Sequence, residues 1–251
     1  MEVREAAAEI THEWFELLSE ANRVEQLITD NWAIMGEFDR QHRVRLVVDE
    51  WGAWYKPGSE VHPTHLLGQQ STMRDAVLAG LSLDIFHRHA DKVGMANIAQ
   101  LINCLQALFI AHEDKFITTP TYHVFDMYAA HQGAQSLRTE VMSPRLSYTR
   151  NGRPATMRGL NSSASLRDKT MTLTVTNPDI QNAQETEIAL RGAGVKDVQV
   201  TTLTHKDIHA YNSFDNPRVI EPQAGKATVS GSTIRYSFAP ASVTRLQITL
   251  A

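Results

Sequence analysis

The sequence has a single cysteine, Cys104, so the chain can form no internal disulfide. It also lacks any run of about eighteen consecutive apolar residues, the minimum for a membrane-spanning helix. Its 24 basic and 28 acidic residues are interspersed and give a net charge of −4, which argues against nucleic-acid and anionic-membrane partners. The first residues, MEVRE, lack the basic segment and apolar core of a secretory signal. These features together predict a cytoplasmic protein.

The hydrophobic pattern changes along the chain. Up to about residue 136, apolar residues recur mainly at helical spacing and predict helices over 13–28, 31–40, 73–90 and 120–131, the last begun by Thr119 as N-cap and Pro120. Short apolar runs at 44–48 and 93–100 predict two buried strands. From residue 137 the period is two, which predicts strands at 171–176, 186–190, 198–203, 226–230, 233–238 and 244–250. We therefore expect an α/β domain over 1–136 and an antiparallel β-sandwich over 137–251.

The segment around residue 50 carries the clearest chemistry. The run at 44–48 predicts a strand buried on both faces, as in parallel sheets, and it ends in Asp49 and Glu50, with aromatic residues at 51, 54 and 55. In barrels of alternating strands and helices, catalytic residues lie at the carboxyl ends of the strands. A carboxylate beside flat rings suits a sugar-cleaving site, although a strand ending in a polar turn is the alternative. Neighbouring residues on a strand point to opposite faces, so Asp49 is the weaker candidate.

Six segments, in order along the chain, resemble the family 51 α-L-arabinofuranosidases. They are LVVDEWGAWY (46–55), RDAV (74–77), FHRHAD (86–91), MANIAQ (95–100), TPTYHVF (119–125) and YNSF (211–214). The first of these resembles the strand that carries the family's nucleophile.

This resemblance implies a (β/α)8 barrel, of which the chain holds about strands 7 and 8, followed by a β-sandwich. It implies that the protein releases terminal arabinofuranosyl groups with retention of configuration and needs no cofactor or metal. Glu50 matches the nucleophile, at the end of the seventh strand. Trp54 matches an aromatic residue lining the sugar pocket, and Gln100 matches a residue that hydrogen-bonds in the site at the end of the eighth strand. Trp51 and Tyr55 are expected to pack rather than to contact the sugar.

The sequence departs from the family pattern in one respect. The acid/base glutamate of the family follows an asparagine at the end of the fourth strand, and this chain has no counterpart. We therefore expect a C-terminal part that is inactive alone, with an arabinofuranosyl saccharide as substrate and either a complementing N-terminal barrel half or further copies of itself as partner.

Other interpretations stay open at this point. The chain could be a non-catalytic carbohydrate-binding or assembly remnant, or a related glycosidase acting on a different sugar. The histidine pairs 87/89 and 205/209 do not form the His-Glu-x-x-His pattern of a metal site, and we expect solvated or hydrogen-bonded side chains. Cys104, in an apolar run without a basic neighbour, is expected to be a buried structural thiol.

Overall fold

The first part of the protein contains a βαβ unit preceded by a long helix. A computed structural model describes residues 2–56 and 67–251, with side chains from residue 13 onward. The elements are α1 (Glu2–Phe38), β1 (Leu46–Trp51), α2 (Met73–Arg88) and β2 (Val93–Ile98). Strands β1 and β2 pair in parallel, and α2 connects them. Helix α2 begins at a capping box, in which the Thr72 hydroxyl accepts from the backbone and Asp75 bonds back to the N–H of Thr72.

Helix α1 is continuous, whereas the sequence pattern predicted two helices separated near residue 30. The prediction was wrong because the polar residues at the expected break are satisfied within the helix. The Thr29 hydroxyl donates to the carbonyl of Gln26 at 2.8 Å, and the Asn31 amide donates to the carbonyl of Leu27 at 2.8 Å. Such local bonds allow Thr and Asn to remain in a helix interior.

The strand predicted at 44–48 begins and ends two or three residues later, and it is not buried on both faces. Val44 precedes it and is 60% exposed, and Val47 within it is 53% exposed. On β2, Met95 is 56% exposed. The physical reason is that β1 and β2 form a two-stranded sheet, so that, among the described residues, no strand pairs with their outer edges.

A hairpin and a short helix follow β2. Strands β3 (Phe109–His112) and β4 (Lys115–Thr118) pair antiparallel, and sequence analysis missed them inside and just beyond an apolar run. Helix α3 (Pro120–Tyr128) begins as predicted, with Thr119 as N-cap and Pro120 in the first turn, and a 3₁₀ turn at Ala129–His131 continues it. Cys104 lies in the connection before β3 and is only partly buried, contrary to expectation.

The second part is a set of antiparallel sheets. Its strands are β5 (Gln135–Leu137), β6 (Arg145–Arg150), β7 (Arg153–Arg158), β8 (Asn161–Arg167), β9 (Thr170–Asn177), β10 (Gln184–Ala189), β11 (Val195–Leu203), β12 (Gln223–Gly225), β13 (Thr228–Ser230), β14 (Thr233–Phe238) and β15 (Ser242–Leu250). A six-stranded sheet has the order β12-β11-β15-β9-β8-β5, a three-stranded sheet has the order β10-β14-β13, and β6-β7 form a separate hairpin. Leu173, Val200, Ile234, Phe238 and Leu246 belong to one buried cluster within this sandwich.

Helix α2 is packed between α1 and the six-stranded sheet. Thirteen of its sixteen residues are buried, so it has almost no solvent face. A Cβ added to Gly80 would lie 2.6 Å from the Thr176 hydroxyl oxygen and 3.0 Å from a methyl of Val243, so only glycine permits this approach. The main hydrophobic cluster accordingly runs from Trp14 of α1 through α2 to Val243 of β15.

A buried polar cluster joins α2 to the same sheet. The carboxylate of Asp84 accepts hydrogen bonds from four hydroxyls, at 2.8–3.0 Å; they belong to Tyr128, Ser163, Thr174 and Thr176. Beside it, the two ring nitrogens of His131 lie 2.7 Å from the Ser165 hydroxyl and 3.2 Å from that of Thr174. The ring of His87 lies 4.5 Å from that of His131.

Candidate active site

Glu50 lies near the carboxyl end of β1 with an exposed side chain. Within the described part of the chain, its carboxylate forms no hydrogen bond or ion pair. It borders a groove of about 530 Å³ between α1, α2 and β1. The groove is mostly apolar, and α1 contributes Leu17, Ala21, Val24, Leu27 and Ile28. Glu50 is therefore an exposed carboxylate that borders an apolar groove.

The three aromatic residues after Glu50 divide between the site and the core. Trp54 is 69% exposed, whereas Trp51 is 8% exposed and stacks on Phe125 with ring centroids 5.8 Å apart. The Tyr55 hydroxyl donates to Asp75 at 2.6 Å, and burial, followed by the charge of Asp75, raises the pKa of Tyr55 well above its usual range. Trp54 alone of the three thus presents an open ring.

Gln100 lies two residues beyond β2, and its side chain is exposed. The backbone N–H of Ala99 donates to the carbonyl of Trp51 at 2.9 Å, which ties the end of β2 to the end of β1. The Ala99–Gln100 peptide bond is cis. Glu50, Trp54 and Gln100 therefore all lie at or just beyond the carboxyl end of the parallel pair.

Two buried glutamines that were not predicted from the sequence, Gln69 and Gln106, form hydrogen bonds to the loop after β1. The only sequence signal for Gln106 is that it is one of two amides, with Asn103, in the otherwise mainly apolar run from Leu101 to Ile110. A polar residue in such a run needs internal partners when it is buried.

The histidine pairs have ordinary partners. His89 lies 3.1 Å from the Glu25 carboxylate, and the Nδ1 of His205 bonds to the backbone of Asp207. Residues 2–56 and 67–251 contain no group of three or more histidine, cysteine or carboxylate side chains arranged to hold a metal ion. None of the helices in these residues is both long and apolar enough to cross a bilayer.

A sequence profile of the alpha-L-arabinofuranosidase C-terminal domain matches residues 49–242, which is most of the chain. The chain belongs to this family. The match begins one residue before Glu50 and runs through the loops of Trp54 and Gln100 into β15.

Individual relatives agree with the family. An intracellular exo-alpha-L-arabinofuranosidase of Bacteroides ovatus is 33% identical over 226 residues, which are 90% of this chain and 43% of the relative. An intracellular exo-alpha-(1->5)-L-arabinofuranosidase of Bacillus subtilis is 25% identical and matches 79% of this chain and 41% of its own length. The chain thus spans less than half of the curated relatives that it matches.

Solved arabinofuranosidase structures also match most of this chain with about half of their own length. The GH51 arabinofuranosidase from Xanthomonas axonopodis pv. citri superposes with a TM-score of 0.88 at 35% identity, over 94% of this chain and 47% of that one. The alpha-L-arabinofuranosidase from Thermotoga maritima, in its arabinose complex, superposes with a TM-score of 0.73 at 25% identity. The fold is therefore that of the C-terminal part of GH51 enzymes.

Proposed function

We propose that this chain is the nucleophile-bearing C-terminal part of a retaining, exo-acting α-L-arabinofuranosidase, with Glu50 as the nucleophile. The observation that carries the proposal is an exposed carboxylate, unpaired among the described residues, at the carboxyl end of a parallel βαβ unit in a chain that belongs to the arabinofuranosidase family. Trp54 offers an apolar ring for the C–H face of the sugar, and the Gln100 amide offers hydrogen bonds to its hydroxyls. We also propose a cytoplasmic location, because the relatives from Bacteroides ovatus and Bacillus subtilis are named intracellular.

The chemistry needs a second group. One oxygen of Glu50 attacks the anomeric carbon and forms a covalent bond while the bond from that carbon to the leaving oxygen breaks. A general acid gives its proton to the leaving oxygen. The same group, now a base, takes a proton from a water molecule, whose oxygen attacks the anomeric carbon and releases Glu50. Retaining enzymes hold the two carboxyl groups about 5–5.5 Å apart.

We propose that a further polypeptide segment, the complementing N-terminal barrel half, supplies that acid/base. Among residues 2–56 and 67–251, no strand pairs with the outer edge of β1. This edge and the groove beside it support the proposal, because a parallel strand placed there would pair with β1 and cover Val47. The carboxyl end of such a strand would lie on the same side as Glu50. Without it, unpaired backbone groups and bare apolar surface favour self-association of the chain.

The test uses this chain joined, in one polypeptide, to the part of the Bacteroides ovatus relative that its match leaves uncovered; we refer to this protein as the joined enzyme. We expect it to hydrolyse 4-nitrophenyl α-L-arabinofuranoside and the isolated chain to leave an unactivated arabino-oligosaccharide intact. Without the acid, the loss is about 10²–10⁴-fold or more. In the joined enzyme, Glu50→Ala should lower turnover by several orders of magnitude, and added azide should restore part of it and yield an arabinofuranosyl azide of inverted configuration.

Asp49→Ala provides the comparison, since Asp49 is the adjacent carboxylate. Azide rescue of Asp49→Ala instead of Glu50→Ala would remove Glu50 from the nucleophile role. A joined enzyme that binds arabino-oligosaccharide without cleaving any glycoside would favour the non-catalytic remnant. Preference for another sugar in a panel of aryl glycosides would favour a related glycosidase.

A further inference from the structure

Two buried glutamines hold the backbone of the loop that carries Trp54. Gln106 is fully buried; its side-chain oxygen accepts from the N–H of Ala53 at 2.8 Å, and its side-chain nitrogen donates to the carbonyl of Asp75 at 2.8 Å. Gln69 is 9% exposed; its oxygen accepts from the N–H of Tyr55 at 2.6 Å, and its nitrogen donates to the carbonyl of Ala53 at 3.0 Å. Each glutamine therefore uses both ends of its amide.

Three of these four bonds hold the backbone on both sides of Trp54, while its ring stays in solvent. The fourth anchors the Gln106 side chain to the carbonyl of Asp75. Both backbone polar groups of Ala53 and the N–H of Tyr55 are satisfied by the two amides. A primary amide supplies both a donor and an acceptor without carrying a charge. The backbone that carries Trp54 therefore cannot shift without leaving a buried polar group unpaired. Each such group costs about 1–3 kcal/mol.

Gln106 also connects this loop to Gln100. The backbone N–H of Gln106 donates to the carbonyl of Ala99 at 2.9 Å, one residue before Gln100. The amide lies directly against Gly52, where φ is +136° and an added Cβ would be 3.1 Å from the Gln106 side-chain oxygen. One residue thus touches the ends of both parallel strands.

We propose that Gln69 and Gln106 are positioning residues, which set the placement of Trp54 relative to Gln100 without contacting the sugar. This inference rests on the proposed function, because it assigns sugar contacts to Trp54 and Gln100. If the glutamines merely stabilise a loop, their removal lowers the melting temperature and leaves KM unchanged. If they position the sugar-binding groups, KM rises as well.

The first experiment uses the isolated chain labelled with 5-fluorotryptophan, whose four tryptophans give four ¹⁹F resonances, with Trp54 assigned by Trp54→Phe. We expect Gln69→Leu and Gln106→Leu to shift or broaden the Trp54 resonance. The control is Asn177→Leu, because Asn177 is a fully buried amide in the sandwich that also bonds backbone on both sides, to Ala239 and Asp179. It should leave the Trp54 resonance in place. A Trp54 resonance unchanged in both glutamine variants would overturn the proposal.

The second experiment measures kinetics in the joined enzyme. Gln106→Leu should lower kcat/KM by about 10²-fold, the order expected for a misplacement of about 1 Å, with most of the loss in KM. Gln106→Glu keeps the acceptor, but it regains the donor to Asp75 only when its carboxyl is protonated. Its KM should therefore approach that of the wild type as the pH falls, whereas that of Gln106→Leu should not.

The outcomes separate the two hypotheses. Wild-type KM in both leucine variants, with melting temperatures lowered as in Asn177→Leu, would reduce the glutamines to loop stabilisers. A joined enzyme that is folded but inactive even with wild-type glutamines would count against the proposed function. The ¹⁹F result on the isolated chain would still decide whether the glutamines fix Trp54.

Discussion

The buried polar cluster between α2 and the sandwich should make folding sensitive to acid, and replacing His131 with glutamine should remove much of that sensitivity. Burial, followed by the positive charges of His87 and Arg245, lowers the pKa of His131 to about 3. Burial lowers the pKa of His87 to about 4. Both rings are neutral in the folded protein and protonated in the unfolded chain between pH 6 and 4, so both make stability fall as the pH falls.

Asp84 acts in the opposite direction. Burial raises its pKa to about 6, although Arg88 and the hydroxyl donors oppose the rise. Below pH 6 it therefore binds a proton in the folded protein that the unfolded chain, with the ordinary value of 3.8, does not bind until lower pH. The unfolded chain binds two more protons than the folded protein at the histidines and one fewer at Asp84. The unfolded chain therefore binds about one more proton in total. This corresponds to a loss of about 1.4 kcal/mol per pH unit, or about 3 kcal/mol between pH 6 and 4.

Urea unfolding followed by tryptophan fluorescence at pH 7, 6, 5 and 4 measures this dependence. His131→Gln keeps a donor and an acceptor for Ser165 and Thr174. In this variant, the contribution of the cluster to the change of unfolding free energy with pH should fall to near zero. Asp84→Asn removes the opposing carboxyl and should steepen the slope to about 2.7 kcal/mol per pH unit. Other titrating groups are common to all three proteins and cancel in the comparison. If the curves of His131→Gln and wild type run parallel, the reasoning about the buried histidine is wrong.

Three further predictions concern the site, the groove and a helix cap. In the joined enzyme, Gln100→Ala removes a hydrogen bond and should weaken transition-state binding by on the order of 2–4 kcal/mol, measured as kcat/KM. Trp54→Ala should also lower kcat/KM, and both variants should leave the melting temperature nearly unchanged; a large melting drop with normal kinetics would make them structural. Val47→Asp should reduce self-association of the isolated chain in light scattering, whereas Val229→Asp, on a strand outside the groove and 39% exposed, should not; equal effects would contradict a role for the groove. Thr119→Ala removes bonds to the Tyr122 N–H and the Ala107 carbonyl and should destabilise the protein by about 1–3 kcal/mol in urea unfolding, and no loss would contradict the cap.

Local sequence patterns were sufficient where local chemistry determines the structure. Thr119 and Pro120 predicted the start of α3 because capping depends on neighbouring residues. Alternating residues predicted strands such as β9 and β15, whose inner faces are buried in the sandwich. The hairpin β6-β7 was missed because both strands begin and end in arginine and because Pro154, a poor strand former, is the second residue of β7.

Features that depend on distant partners could not be read from the sequence. The aliphatic run at 44–48 looks like a fully buried strand, but its exposure depends on strands that must lie beside it, and Val47 remains open. Glu50, Trp54 and Gln100 were identified through their resemblance to a family rather than through spacing. Gln69 and Gln106 carry no motif, because their importance arises only when the loop folds back over them.

The close approach at Gly80 bears on how such a protein can change by recombination. Domains that are exchanged between genes as independent units have hydrophobic cores of their own and are joined to the enzyme only by a linker. Here one face of α2, the helix that connects the two parallel strands, packs directly against the sandwich. Exchange of the sandwich for an unrelated one would leave that side of α2 facing mismatched residues. We therefore expect the sandwich to be inherited together with the strand that carries Glu50, and sequence insertions to accumulate in its outer loops.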